Sequence, residues 1–205
     1  MIEAAHKRPD LTMPEAEAEL LRQHYEDADV ILEYGSGGST VMASEMEGKH
    51  ITSVESDKAW WKMMMEWFET NPASKGSTVD MLYADIGPTR EWGHPKDERS
   101  WKQFAHYPLA VWEMDELRAP DVVLVDGRFR VGCALATAYN IKQPTVLLFD
   151  DYTPRKWMHA TENFLGQPEI TGRMATFKLN RSRSQRDVCL KLLITCCAHD
   201  WAVRE

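Results

Sequence analysis

Apolar residues cluster in short runs separated by longer stretches of mixed polarity. Val30 to Leu32, His50 to Val54, Thr78 to Tyr83, Asp121 to Val125 and Thr145 to Phe149 are each strand-sized. Between them lie segments with helical spacing: Ser39 to Met46, Asp57 to Phe68 and Phe129 to Tyr139. A helix is also expected from Met13-Pro14-Glu15 through Tyr25, because proline and acids suit a first turn. Another is expected from Pro154 to Leu165. Strands alternating with helices predict an α/β fold: a doubly wound, mostly parallel, Rossmann-like sheet with helices on both faces. Ile170 to Leu179 alternates in period 2 and predicts an antiparallel edge strand near the C-terminus. Val188 to Cys197 reads equally as strand or helix.

The chain has 205 residues, which suits a single domain with an N-terminal helical lead-in at 12–27. The connection at 86–119 is too long for a minimal fold of this kind. It carries Trp92, His94, Trp101, His106, Tyr107 and Trp112, so it is expected to act as a lid over the carboxyl edge of the sheet. Lys plus Arg is 24 against 32 Asp plus Glu, a net charge of −8, which argues against a uniformly basic nucleic-acid binder. No nucleic-acid partner is therefore expected. The four cysteines lack paired metal-ligand spacing, Met1 to Leu21 lacks the apolar core of a signal peptide, and no apolar run is long enough to span a membrane. A cytoplasmic protein with no membrane association is the expectation, its oligomeric state left open.

Each strand run ends in an acid: Glu33, Glu55, Asp85, Asp126 and Asp150. In a doubly wound sheet the ligand crevice lies at these carboxyl ends. Five acids there call for a ligand rich in donors or for cations that relieve their repulsion. Gly35-Ser36-Gly37-Gly38 follows the first strand and lets backbone pass close to a ligand. A dinucleotide fingerprint of the GxGxxG type would place its third glycine at position 40, which is Thr40. Glu33 is also a poor neighbour for a pyrophosphate.

The run Glu33-Tyr34-Gly35-Ser36-Gly37-Gly38-Ser39 resembles the glycine turn of class I S-adenosylmethionine-dependent methyltransferases. Glu55 stands where that family holds the ribose hydroxyls, and Asp85, in Ala84-Asp85-Ile86, stands where it places an acid near the adenine amine. The resemblance extends from about Val30 to Tyr152. It implies a cofactor site made from Glu33, Gly35, Ser36, Gly37, Ser39, Glu55, Asp85, Ile86 and Asp126. It also implies transfer of a methyl group to a small polar acceptor, on oxygen.

A narrower resemblance links Asp126 and Asp150-Asp151-Tyr152 to the acidic triad of metal-dependent O-methyltransferases of the macrolide-sugar and catechol types. It implies Mg²⁺ on Asp126, Asp150 and Asp151, with Asp126 and Asp150 as catalytic acids. Three carboxylates suit a hard cation, but Arg128 and Arg130 could neutralise the same charges without a metal. His94 and His106 are candidate bases by their ordinary pKa, with His94 the catalytic choice. Two other function classes remain open: a nicotinamide-dependent oxidoreductase, and a non-catalytic protein that binds S-adenosylmethionine.

Overall fold

The computed structural model describes residues 7–180. The expectation for Val188 to Cys197 lies outside them. Among the described residues, nine strands and six α-helices alternate along the chain. Helix α1 (Glu15–Asp27) leads into β1 (Val30–Tyr34), followed by α2 (Gly38–Ser44), β2 (His50–Glu55), α3 (Lys58–Thr70) and β3 (Thr78–Tyr83). A small hairpin of β4 (Thr89–Arg90) and β5 (His94–Pro95) follows, then the short helix α4 (His106–Leu109). The chain continues through β6 (Val122–Val125), α5 (Arg130–Asn140), β7 (Thr145–Phe149), α6 (Glu162–Leu165), β8 (Glu169–Thr171) and β9 (Met174–Leu179).

Seven strands form one sheet in the order β3-β2-β1-β6-β7-β9-β8. The first five are parallel, and β9 runs antiparallel to both β7 and β8. The predicted architecture is the observed one. The central strands are apolar throughout because both faces are covered. Leu32, Tyr34, Val123, Val125, Leu147 and Phe149 belong to the core on one face, which includes α5. Ile31, Val122, Leu124 and Leu148, the alternate positions, pack on the other face with Leu21 and Tyr25 of α1.

Three local expectations change. Ile170 to Leu179 is not one edge strand but a hairpin turning at Gly172-Arg173, and β9 inserts beside β7 while β8 takes the edge. The segment from Pro154 to Leu165 is largely a 3-10 turn, Lys156–Thr161, with only α6 as true helix. The aromatic connection divides in two. Phe104, Tyr107 and Val111 are buried in the main core, and the Tyr34 hydroxyl donates to the Pro108 carbonyl at 2.8 Å while accepting from Trp112 Nε1 at 2.7 Å. This half fills the space over β1 that a longer crossover helix would take. The turn at Glu91–Gly93 instead lies at the carboxyl ends of the strands: the Ser56 hydroxyl, just past β2, donates to the Gly93 carbonyl at 3.2 Å.

Candidate active site at the carboxyl edge of the sheet

The strand order reverses between β1 and β6, where adjacent connections leave in opposite directions and open a crevice. Gly35 follows β1 with a left-handed φ of 103°. A Cβ there would lie 2.8 Å from the backbone of Gly127, which follows β6; one on Gly127 would lie 2.0 Å from the Tyr107 hydroxyl. Two glycines therefore let the two strand ends meet.

The predicted cofactor residues fall into two groups. Glu33 lies beneath the glycine turn and is fully buried. It accepts from the Tyr25 hydroxyl at 2.7 Å and the Thr40 hydroxyl at 2.5 Å. Burial raises its carboxyl pKa, against the lowering effect of Thr40, Tyr25, Ser39 and Ser53. Glu33 and Ser39 thus brace the turn from below. Glu55, at the end of β2, sits at the rim. It accepts from the Ser56 and Asp57 amides at 2.6 and 2.7 Å and from the Ser36 hydroxyl at 3.1 Å. Its pKa is raised by burial and held back by those donors. Asp85 is exposed past β3, with one oxygen accepting from the Gly87 amide at 2.9 Å, while Ile86 is buried behind it. Gly37 opens α2, its amide donating to the Thr40 hydroxyl at 3.0 Å. An exposed acid, a rim carboxylate and a closely approached glycine backbone are acceptors and space suited to the hydroxyls and amines of S-adenosylmethionine.

A cavity of about 560 Å³ opens beside this edge, lined by Thr12, Trp92, His94, Asp126, Arg128, Arg130, Asp151, Arg155, Trp157 and Arg173. Asp126 and Asp151 belong to its lining, the buried Asp150 joins them through Arg173, and guanidinium groups occupy the place predicted for a metal. Arg130 pairs with Asp126 at 2.9 Å and Asp151 at 3.3 Å. Arg155 pairs with Asp151 at 2.7 Å. Arg173 grips Asp150 through Nε and Nη2 at 3.0 and 2.7 Å and reaches Asp151 at 3.3 Å. Among the described residues no group of three or more His, Cys, Asp or Glu side chains could hold a metal ion. The Mg²⁺ site predicted on Asp126, Asp150 and Asp151 is therefore corrected: cations of the chain itself already take the carboxylate oxygens, and the residues do not fit a metal centre. Arg128 reaches His94, its Nη1 2.6 Å from His94 Nε2.

The same geometry sets the protonation of the floor. Burial raises the Asp126 carboxyl to about 7; Arg130 pulls it down, while Asp150 and Asp151 push it further up. Burial also penalises the Asp150 carboxylate, yet the Arg173 fork and the Asp151 amide win and hold it low. His94 falls to about 4, through burial and then the charges of Arg128, Arg155 and Arg130. It is neutral at pH 7 and a much weaker base than Asp126. His106 sits by Asp85, Nδ1 3.2 Å from its carbonyl.

Arg155 and Arg173 were missed by sequence reasoning. Arg173 reaches Asp150 only because β9 inserts beside β7. The signal was Gly172-Arg173 interrupting the alternation, a turn within what reads as one strand.

No family model matches the chain, and no curated protein matches its sequence. Among solved structures, a methyltransferase-like protein from Silicibacter pomeroyi is 55% identical with a TM-score of 0.88, covering 93% of this chain and 98% of that one. A methyltransferase from Geobacter sulfurreducens is 9% identical with a TM-score of 0.52, covering 82% and 81%. An O-methyltransferase from Bacillus cereus, in complex with S-adenosylhomocysteine, is 13% identical with a TM-score of 0.51, covering 81% and 82%. The last two share the fold. The chain belongs to the methyltransferase-like family with the class I S-adenosylmethionine-dependent methyltransferase fold.

Proposed function

We propose that the protein transfers a methyl group from S-adenosylmethionine to an oxygen of a small acceptor, with Asp126 as the general base. The observation that carries this reading is Asp126: a carboxyl at a cavity floor, at the end of β6, with its pKa raised to about 7. A base poised near the working pH accepts a proton efficiently while still being substantially ionised. S-adenosylmethionine, when bound, supplies an electrophilic methyl group and leaves as S-adenosylhomocysteine.

Gly35, Gly37, Glu55 and Asp85 would hold the cofactor, through backbone approach at the turn and acceptors at the strand ends. Glu33 and Ser39 keep the turn in shape. Asp126 takes the proton that the acceptor hydroxyl loses as its oxygen gains the methyl group. Arg130 fixes the Asp126 side chain: its Nε, Nη1 and Nη2 also donate to the Gly127, Asp150 and Asp126 carbonyls at 3.0, 2.7 and 2.7 Å. The cavity walls hold the acceptor and limit water, which suits a displacement whose main demand is alignment. Membership of a methyltransferase-like family supports the same reading.

The test combines binding and turnover. Calorimetry should show S-adenosylhomocysteine binding where NAD does not. A panel of small hydroxyl-bearing acceptors should then release S-adenosylhomocysteine and yield a methylated product. Binding of NAD in place of S-adenosylhomocysteine would defeat the proposal.

A further inference from the structure

The protein is acidic, with a net charge of −8, yet its cavity is lined by four arginines and a histidine against two acids. Two of the cations also stand nearer the solvent than the acids they grip. Asp150 is 1% exposed and Asp151 19%, against 39% for Arg155 and 34% for Arg173. Asp126, at 32%, stays open to the cavity over the deeply buried Arg130.

These arginines do not all play one part. Arg130 is 5% exposed and donates from all three nitrogens to the floor, so it is structural. Arg155 uses only Nη2, on Asp151. Arg173 uses Nε and Nη2 on Asp150. That leaves Nε and Nη1 of Arg155 and Nη1 of Arg173 without hydrogen-bond partners among the described residues, on side chains that line the cavity. Guanidinium groups held at one end by an acid, with donors left at the other, are pre-organised for an oxyanion. Trp92 and Trp157 give the same cavity an apolar wall. Its volume suits a small molecule rather than a polymer.

We infer that the methyl acceptor is a small anionic molecule whose carboxylate or phosphate is seated on Arg155 and Arg173, with an apolar body against Trp92 and Trp157. The ligand's role as acceptor rests on the proposed methyl transfer; the seat for the anion rests on the arginines themselves.

The test is calorimetry on the full chain with benzoate, phenyl phosphate and the neutral benzamide, alongside S-adenosylhomocysteine. One of the anions should bind roughly tenfold or more tightly than benzamide, and more weakly as salt rises. Which one does so tells carboxylate from phosphate. Arg155→Gln should weaken that anion roughly ten- to a hundredfold, the scale of a lost charge-assisted hydrogen bond, and Arg155→Lys should weaken it less. S-adenosylhomocysteine should bind all three proteins alike. Equal binding of benzamide and both anions, or unchanged anion affinity in a folded Arg155→Gln, overturns the inference. Loss of S-adenosylhomocysteine binding in that variant also overturns it, by giving the guanidinium to the cofactor's own carboxylate. If wild type binds the anion but not S-adenosylhomocysteine, the methyl-transfer reading falls and the anion seat stands.

Discussion

Among the described residues three non-glycine residues have left-handed backbones, and two of them line the cavity. Trp92 has φ 62°, Phe129 φ 49° and Asp151 φ 54°. Trp92 and Asp151 line the cavity, and Phe129 lies between Arg128 and Arg130. Such conformations cost about 1–3 kcal/mol each and persist where surrounding contacts over-determine them. For Asp151 those contacts are the pairs with Arg130, Arg155 and Arg173, and for Phe129 its burial in the core; Trp92 is exposed. Asp126 is where the chemistry is most exposed to a single change. Asp126→Asn should leave the fold and S-adenosylhomocysteine affinity intact while lowering turnover by about 10²–10⁴-fold. The wild-type rate should rise through about pH 7 to a plateau, since the base must be ionised. A pH–rate profile of both proteins checks this. Gly127→Ala tests the meeting of strand ends, because its Cβ would overlap the Tyr107 hydroxyl and come within 2.9 Å of the Gly35 amide. A loss of about 1–3 kcal/mol in urea unfolding is expected, partly recovered in the double variant with Tyr107→Phe. The acids and glycines of this site were legible in the sequence because strand ends converge in any doubly wound sheet. Their neutralising partners were not, since Arg173 is brought in by a hairpin and Arg155 by a 3-10 turn.

Elements join the site through a few polar ties. Helix α1 is fastened to β1 by the Tyr25 hydroxyl on Glu33, deep in the core. Burial raises the Tyr25 phenol well above its usual value, and the Glu33 charge and hydrogen bond raise it further, so it is a donor at any ordinary pH. Removing it in Tyr25→Phe leaves a buried carboxylate short of one donor. The expected cost is about 1–3 kcal/mol in chemical denaturation, with little effect on ligand affinity at the anion seat. The turn at Glu91–Gly93 is tied more lightly, by Ser56 to Gly93 and by the contact of Arg128 with His94. Gly93 also lies over Glu55, where its Cβ position is 3.3 Å from Oε1. If Glu55 takes the ribose hydroxyls as proposed, they would share that space. Binding of S-adenosylhomocysteine should therefore speed amide exchange at Trp92 to His94 relative to the free protein. Slower or unchanged exchange there would show that this turn does not yield. The parallel strands were readable as apolar runs; the small β4–β5 hairpin was not, because two-residue strands carry no periodicity.

At the scale of the molecule, Asp126 and Asp150 give stability opposite pH dependences. Asp126 has a folded pKa raised from 3.8 to about 7, so the folded state keeps a proton that the unfolded chain releases. Its contribution is complete below about 3.8 and is lost as pH rises through about 7. Asp150 is depressed in the folded state; its contribution is present above 3.8 and lost as pH falls through its folded value. The unfolding midpoint should therefore decline between about pH 4 and 7 in wild type and flatten in Asp126→Asn. Thermal melts across that range check it. The insertion of β9 has a further consequence, for the order in which the chain is made. Everything through β7 leaves the ribosome before Arg173 does. Until then β7 is an open edge able to pair with a stranger, and Asp150 is a charge without its fork. The hairpin that supplies the guanidinium is also the strand that seals the edge. A nascent chain thus gains its protection from mispairing and its finished cavity floor in one step, when that hairpin is made.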